Sequence, residues 1–385
     1  EGEEGIGDAF EDSGNALRRL LGLGARLSLA IEQAHALDGL AAQVGQRQYE
    51  PLLLGAERMR LGVIDANGTH DLAFDGMSIF EVSNTVVSDN EIYRNGVDGI
   101  TICGSDNVVE RNVVWGQSSA TAHGDGIVLQ SPYFQTFGVD SVNNVIRDNI
   151  VYGNTQNIYI DSFIYKTGAS TTQYRIVNTR IYNNLIHKSP VPTGVIEQGV
   201  SADAENRDID GLYIYNNTFV DLNDTGGGQG VMVNARTGWT LTNLAVKNNV
   251  FYNSPLSQNS GVMSQISIDN NLHFRPSGGT IVKWGGTNYS SLTSLRSATG
   301  FELAGLQSDP LFTDPSVRDY TLKATSPAIG RADAAWAPGK DLRGLLRDAT
   351  PDVGVYEYVS ANPPADPPAD TTAPAVSLTS PANGA

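Results

Sequence analysis

The chain of 385 residues contains few residues of several types. It has a single cysteine, Cys103, which excludes an intrachain disulfide and a cluster of cysteine and histidine metal ligands. No run of about 18 apolar residues occurs, so we expect no membrane-spanning helix. Basic residues are also scarce, 25 against 42 acidic ones. The net charge of −17 argues against nucleic acid and anionic membrane surfaces as partners.

Glycine and asparagine are plentiful instead, and between Ser83 and Phe274 they mark a repeat. Six segments start with a polar residue that precedes Gly or Asn and an alternating apolar run; they start at Asp98, Asp125, Gln156, Gln198, Gln229 and Ser260. Each segment ends five residues later, at an outward ladder of Cys103, Gln130, Asp161, Asp203, Asn234 and Gln265. Alternation with period two in short runs, punctuated by Gly and Asn, indicates strands.

A second repeat consists of single asparagines that each precede a short apolar strand: Asn90, Asn112, Asn149, Asn184, Asn217, Asn249 and Asn271. Self-similarity at about 20–50 residues indicates a solenoid or a propeller, and the Trp-Asp or kelch-like marks of a propeller are absent. We expect each Asn to occupy a left-handed bend and to bond to the coils above and below. The sequence therefore predicts an all-β fold, a right-handed parallel β-helix.

The composition changes along the chain and predicts five parts. Residues 1–60 combine an acidic N-terminus with a helical pattern, which we interpret as a cap over the open end of the coils. Residues 61–300 form the coils, 301–359 a closing module, 360–374 a Pro-rich linker, and 375–385 resemble the first strand of an Ig-like module. The first residues do not resemble a signal peptide, so for an exported protein we expect that signal to have been removed.

The closing module contains SDPLFTDP (308–315), DYTLKATSPAIG (319–330), DLRG (341–344) and PDVGVYEY (351–358). In these segments the chain resembles secreted bacterial proteins with right-handed parallel β-helix repeats, among them polysaccharide lyases and related carbohydrate-active enzymes. The resemblance covers about residues 75–359. It implies an exported, extracellular protein that acts on polysaccharide, and we expect it to be a monomer.

Carboxylates enter the outward ladder only in the two middle coils, at Asp161 and Asp203. Because neighbouring coils stack about 4.8 Å apart, these two side chains are predicted neighbours that repel each other or share a cation. Together with Glu205 and Asn234 they supply the oxygen ligands that Ca²⁺ prefers. We therefore expect calcium at this position, and an ordinary solvated polar face is the alternative.

Basic residues follow these acids closely: Lys166, Arg207 and Arg236. A polysaccharide lyase neutralises a uronate carboxylate with Ca²⁺ or Arg and removes the C5 proton with a base. The leading hypothesis is thus β-elimination on an acidic polysaccharide, with these three residues and His123 as catalytic candidates. Residues predicted to line the substrate groove are Gln130, Tyr133, Phe134, Tyr159, Tyr165, His187, Lys188 and Trp239.

Two other functions stay open. A glycoside hydrolase could use Asp161 and Asp203 as acid and base or nucleophile. A non-catalytic, glycan-binding or adhesive solenoid would explain the Ig-like tail and the lack of a complete catalytic signature. Asp98 and Asp125 share their repeat position with Gln156, Gln198 and Gln229, so we interpret them as turn-forming residues.

Overall fold

The computed structural model describes residues 59–61, 75–79, 82–117, 124–131, 140–162, 174–191, 193, 195–222 and 228–360. The predicted helical cap, the linker and the Ig-like segment lie outside these ranges, as do five site candidates: His123, Tyr133, Phe134, Tyr165 and Lys166. Within the described ranges, no helix combines the length and apolar character needed to cross a membrane.

Three sheets, each with its strands parallel over nearly its whole length, form the sides of the stacked coils. The first sheet contains β1 (Met59–Leu61), β3 (Thr85–Ser88), β6 (Val108–Glu110), β9 (Ser141–Val142), β10 (Val145–Arg147), β13 (Ile176–Tyr182), β16 (Ile209–Tyr215), β19 (Thr240–Lys247), β22 (Val262–Ser264) and β23 (Ser267–Asp269). The second contains β4 (Glu91–Tyr93), β7 (Val113–Trp115), β11 (Ile150–Tyr152), β14 (Leu185–His187), β17 (Thr218–Val220), β20 (Val250–Tyr252), β24 (Leu272–Phe274) and β27 (Leu306–Gln307).

The third sheet contains β2 (Met77–Ile79), β5 (Ile100–Cys103), β8 (Ile127–Gln130), β12 (Gln156–Asp161), β15 (Gln198–Ala204), β18 (Val231–Ala235), β21 (Leu256–Ser260), β25 (Val282–Trp284) and β26 (Thr287–Tyr289). The chain visits the first, second and third sheets in turn and then starts the next coil, with the right-handed crossovers that parallel strands adopt. The predicted parallel β-helix is confirmed.

The predicted outward ladder is confirmed for five of its six members. Register pairs Cys103 with Gln130, then Asp161, Asp203 and Asn234. The sixth member was wrong, because Asn234 pairs with Ser260 rather than with Gln265. In sequence, Ser260 and Gly261 resemble the start of a strand, but Gly261 lies in the turn between β21 and β22. Gly261 has φ +93°, and a Cβ there would overlap the carbonyl oxygen of Ala235.

The asparagine ladder between the first and second sheets is present along the stack. From Asn90 to Asn249, the backbone N–H and Nδ2 of each Asn donate to Oδ1 of the Asn in the next coil, at 2.9–3.1 Å. The expected left-handed conformation lies one residue earlier, for example at Asp89 and Asn216. That residue turns the chain, and the following Asn is left with its side chain inside the stack.

The carboxy-terminal end of the coils is covered by a short helix, α1 (Leu292–Thr299). Its Leu292 and Leu295 are buried in the core that also contains the inward Ile, Val and Leu residues of the three sheets. The asparagine ladder ends at the same place, because Glu302 accepts hydrogen bonds from Asn271 Nδ2 and His273 Nε2, both at 2.8 Å. Apolar side chains and ladder donors at the end of the stack therefore both find partners.

The closing module lies along the side of the stack. It contains the antiparallel strands β28 (Phe312–Asp314) and β29 (Asp319–Leu322), joined by a 3-10 turn over Pro315–Val317. Its apolar residues form a second core with the outward residues of the second sheet: Leu185, Val220, Val250 and Leu272 pack with Phe312, Tyr320, Leu322, Ala328, Val353 and Val355. The second sheet is thereby covered over β14, β17, β20 and β24.

Candidate functional site

The outward face of the third sheet gathers most of the described acidic candidates in three rows. An entrance row precedes the strands and contains Asp75, Asp98, Asp125, Gln156, Gln198 and Gln229. A middle row contains Thr101, Val128, Tyr159, Ser201 and Met232. The exit row is the outward ladder from Cys103 to Asn234. Carboxylates thus occupy the entrance row in early coils and the exit row in later coils.

The entrance row bonds to the backbone in the way expected of turn residues. Oδ1 of Asp75 accepts from the N–H of Asp98 at 3.3 Å, and Oδ1 of Asp98 accepts from the N–H of Asp125 at 3.1 Å. Oδ1 of Asp125 in turn accepts from the N–H of Gln156 at 3.1 Å. The hydroxyl of Thr101 lies 3.2 Å from Oδ2 of Asp75 and 3.5 Å from Oδ2 of Asp98. The structural role predicted for Asp98 and Asp125 is therefore present.

Asp98 and Asp125 also have raised pKa values, which a role in the turn does not require. Burial, together with the charge of Asp75, raises the pKa of Asp98 to about 7. Burial and the neighbouring charge of Asp98 raise the pKa of Asp125 well above its usual range. Glutamine occupies the same position in later coils, so the turn itself needs no carboxyl group. Sequence reasoning discounted this pair; the available signal was that acids occupy this row only in three consecutive coils.

Tyr159 stands between the two groups of acids. Burial and then the charge of Asp161 and of Asp203 raise its pKa, and Asp125 acts in the same direction. The phenol therefore keeps its proton at neutral pH and can act as a hydrogen-bond donor. Tyr159 was predicted to contact substrate, and it lies in the middle row of the third sheet, where that contact stays a prediction.

The exit row contains three of the four predicted calcium ligands, Glu205 follows it by two residues, and Arg236 contacts Asp203 and Glu205. Asp203 accepts from Asn234 Nδ2 at 3.0 Å and from the Nη2 of Arg236 at 3.2 Å. Nη1 of Arg236 lies 2.5 Å from Glu205 Oε1. Asp161, one coil earlier, is 5% exposed. Over the described residues, no three His, Cys, Asp or Glu side chains gather in a way that could hold a metal ion. Calcium at this row stays a prediction.

The turn after β15 contains two more candidates. Arg207 is only 7% exposed, and its guanidinium lies over the ring of Trp239 at 5.6 Å. Its carbonyl oxygen accepts a hydrogen bond from the Ser162 hydroxyl at 2.8 Å. Burial lowers the pKa of Arg207. Trp239 is partly buried against the core, so this pair is packed into the scaffold beside the exit row. Gln130, in contrast, belongs to the exit row itself.

His187 and Lys188 lie on another side of the molecule. His187 ends β14 of the second sheet, where its ring stacks on Tyr152 at 4.6 Å and faces Tyr320 at 5.9 Å. Burial lowers the pKa of His187 to about 4, and its Nδ1 lies 2.7 Å from the carbonyl oxygen of Lys188. The structure does not bring these two residues together with the acids of the third sheet.

Solved structures that resemble this chain include two enzymes with sugar-related names, compared over part of their length. The Agl-KA catalytic domain matches 52% of this chain and 35% of its own, with 12% identity and a TM-score of 0.35. The complex of XylC with xylose matches 72% of this chain and 51% of its own, with 11% identity and a TM-score of 0.34. This chain thus covers about half or less of those proteins, and similarities of this size bear on neither its fold nor its activity. No family model and no curated protein matches the chain.

Proposed function

We propose that this protein is a glycoside hydrolase that degrades extracellular polysaccharide with Asp98 and Asp125 as its acid–base pair. The observation that supports it is the stacking of two carboxyl groups in adjacent coils, each with a pKa raised by burial and by an acidic neighbour. In both residues the backbone N–H of the next coil engages Oδ1, which fixes the carboxyl group in place.

Such a pair has the protonation that glycosidic cleavage needs. Like charges this close do not both ionise, so the two carboxyl groups share a proton near neutral pH. The protonated member gives its proton to the leaving glycosidic oxygen as the bond to the anomeric carbon breaks. The ionised member attacks that carbon and forms a covalent glycosyl ester. A water molecule then gives its proton to the first carboxylate and displaces the ester, which restores both carboxyl groups and leaves a hydroxyl on the anomeric carbon. Adjacent coils are about 4.8 Å apart, close to the roughly 5 Å of retaining enzymes.

The other polar residues of the face suit the same reaction. Tyr159 keeps its proton and can donate a hydrogen bond to a sugar hydroxyl. The charges of Asp161 and of the ion-paired Asp203 lie where they would favour the positive charge that develops on the sugar ring. In this proposal Asp161 and Asp203 assist the reaction, rather than forming the acid–base pair themselves.

A lyase is the second candidate, and Arg236 is the observation that favours it. The side chain of Arg236 is 53% exposed beside the acidic face and could neutralise a uronate carboxylate, with or without Ca²⁺. The C5 base would then come from His123 or Lys166, because Arg207 is buried. With either activity we propose an extracellular monomer that acts on a sugar polymer.

The first test is a screen of alginate, pectate, glycosaminoglycans and neutral glycans, with and without EDTA. A hydrolase releases reducing ends without the ultraviolet absorbance of an unsaturated uronate. Reducing ends with that absorbance would establish the lyase, and EDTA sensitivity would support a metal in the site. Retention of a glycan without turnover would identify a binding solenoid and overturn both enzymatic proposals.

The substitutions Asp98→Asn and Asp125→Asn test the assigned pair. Each keeps the Oδ1 acceptor for the backbone and removes the titrating carboxyl group, so we expect turnover to fall by about 100-fold or more. The melting temperature should stay within a few degrees, because later coils accept an amide at this position. Asp210→Asn on the first sheet, where Asp210 accepts from Thr242 at 2.7 Å, is the matched control. Unchanged turnover in both variants would remove Asp98 and Asp125 from the mechanism.

A further inference from the structure

A cleft of about 1110 Å³ lies between the outward face of the first sheet and residues 335–344 of the closing module. Its floor contains Arg180, Tyr182, Tyr213 and Tyr215, and Trp336 forms part of its wall. Pockets for drug-sized ligands measure about 300–1,000 Å³, so this cleft accommodates more than a single sugar ring. It lies on a different sheet from the acids of the third sheet.

Aromatic rings form much of this floor and wall. Tyr182 and Tyr215 stack with ring centres 4.9 Å apart, which continues a row along two neighbouring coils. Trp336 approaches Tyr213 at 6.0 Å and Tyr215 edge-on at 5.7 Å. Sugar rings present C–H faces that pack on such aromatic groups. The hydroxyl of Tyr182 accepts a hydrogen bond from Arg147 Nη1 at 3.2 Å and keeps its own proton to donate.

The charge of the cleft is opposite to that of the whole chain. Five basic residues line it, against two acidic ones: Arg111, Arg147, Arg180, Lys340 and Arg343 against Asp148 and Asp341. Three of the basic side chains have protein partners, since Arg111 pairs with Asp89, Arg147 with Glu110 and Arg343 with Asp341.

Arg180 is the exception among the arginines. Within the part of the chain that the structure describes, its half-buried guanidinium has no hydrogen bond and no ion pair, and the Lys340 ammonium has none either. A guanidinium in a partly buried, aromatic-lined cleft is suited to bind a planar carboxylate through two hydrogen bonds. Arg180 thus offers an unpaired cation in this cleft.

We propose that this cleft binds a segment of acidic polysaccharide, a chain whose sugar rings have carboxylate groups, at a second site separate from the catalytic face. The inference rests on the proposed action on polysaccharide and names the class of polymer. The cleft and the acids lie on different sheets of the same stack, a few coils apart, so a long polymer held in the cleft stays at high effective concentration near Asp98 and Asp125. The cleft therefore favours long chains over short ones.

Calorimetric titration with oligogalacturonate and oligomannuronate of about six sugars tests the proposal, with a neutral glucan of equal length beside them. At least one acidic oligosaccharide should bind, about tenfold or more tightly than the neutral one, and added salt should weaken it. Arg180→Gln should reduce that affinity about tenfold or more, and Trp336→Ala should reduce it as well. Arg331→Gln, an exposed arginine of the same module outside the cleft, should leave the affinity unchanged.

The proposal would be overturned by failure of both acidic oligosaccharides to bind, by equal binding of the neutral glucan, or by full affinity in Arg180→Gln. Binding of poly-glutamate in preference to any saccharide would do the same, and would identify an acidic protein segment as the occupant. Circular dichroism of each variant confirms that the coils are intact.

Repeating the titration with the double variant Asp98→Asn/Asp125→Asn distinguishes binding in the cleft from catalysis at the third sheet. Affinity should persist there while turnover is lost. With Arg180→Gln, KM for the polymer should rise several-fold, whereas kcat on short oligosaccharides should not change. If the double variant keeps its turnover, the catalytic assignment is wrong and the proposed binding in the cleft is unaffected. If only Arg180→Gln has no effect, the proposed binding is wrong and the catalytic assignment is unaffected.

Discussion

The carboxyl group of Asp98 has two oxygens with different environments. Oδ1 accepts a hydrogen bond from the backbone of Asp125 in the next coil, and Oδ2 lies on the outer face beside the hydroxyl of Thr101. One oxygen therefore supports the coil, and the other contacts a side chain of the outer face. Asp98 accepts a backbone hydrogen bond at the row position that glutamine occupies in later coils. In addition, its pKa lies near neutral pH because the carboxyl group is buried beside Asp75.

This titration predicts how stability depends on pH. The pKa of Asp98 is about 7 in the folded protein against 3.8 for an unperturbed aspartate, so the folded state binds the proton more strongly between those values. Stability is therefore greatest below about pH 4 as far as this group is concerned, and falls as pH rises to 7, by at most about 1.4 kcal/mol per pH unit. Urea unfolding of Asp98→Asn at several pH values should show a shallower fall than the unsubstituted protein. An identical slope would show that Asp98 does not retain its proton.

At the scale of elements, the asparagine ladder joins the first and second sheets of every described coil from Asn90 to Asn271. Asn217 shows the pattern: its Nδ2 donates to the carbonyl of Ile181 and to Oδ1 of Asn249, while its own Oδ1 accepts from Asn184. The amide is completely buried, so each of these groups depends on the ladder for a partner.

Asn217→Ala tests the contribution of the ladder. It leaves the N–H of Asn184 without its acceptor, removes one of the three acceptors of Asn184 Nδ2, and deprives the carbonyl of Ile181 of a donor, in a site that has no exposure to solvent. We expect the free energy of unfolding to fall by about 3 kcal/mol, because buried unsatisfied groups cost about 1–3 kcal/mol each. Asn288→Ala, at an exposed position of β26, should change it by less than about 0.5 kcal/mol. Equal effects of the two substitutions in urea titrations would refute this role of the ladder.

At the scale of the whole molecule, the closing module joins distant parts of the chain along one side of the stack. It covers the outward apolar residues of the second sheet and contributes Trp336 and Lys340 to the cleft on the first sheet. Hydrogen bonds reinforce the contact, for example from Asn216 Nδ2 to the carbonyl of Asp352 at 3.2 Å. The third sheet, where the acidic face lies, remains outside this cover.

Phe312→Ala measures how strongly the module is held. Phe312 is 3% exposed and contacts the rings of Tyr252 and Tyr320 at 5.6 and 5.4 Å. Removing it leaves a cavity between module and sheet, so unfolding should become easier by about 3–5 kcal/mol. The matched control is Val317→Ala, since Val317 is 70% exposed in the same module. A loss confined to binding in the cleft, with unchanged unfolding, would show that the module is held elsewhere.

The sequence by itself determined the coil architecture and most of its register. Periodic Gly, Asn and apolar residues reflect local requirements that repeat in each coil, so the asparagine ladder and the row from Cys103 to Asn234 could be read directly. The misplacement of Gln265 has a local cause as well, because a glycine before a strand and a glycine in a tight turn have the same one-letter pattern. The conformation of Gly261 distinguishes them.

Only the tertiary structure decided which carboxyl groups have raised pKa values and which basic side chain has no ion-pair partner. The pKa of Asp98 depends on burial and on Asp75, 23 residues away, and that of Asp125 depends on Asp98. The cleft depends on residues 335–344 lying against Arg180 and Tyr215, which no short segment of sequence contains. Desolvation and the proximity of charges are properties of the folded surroundings, whereas periodicity is a property of the chain itself.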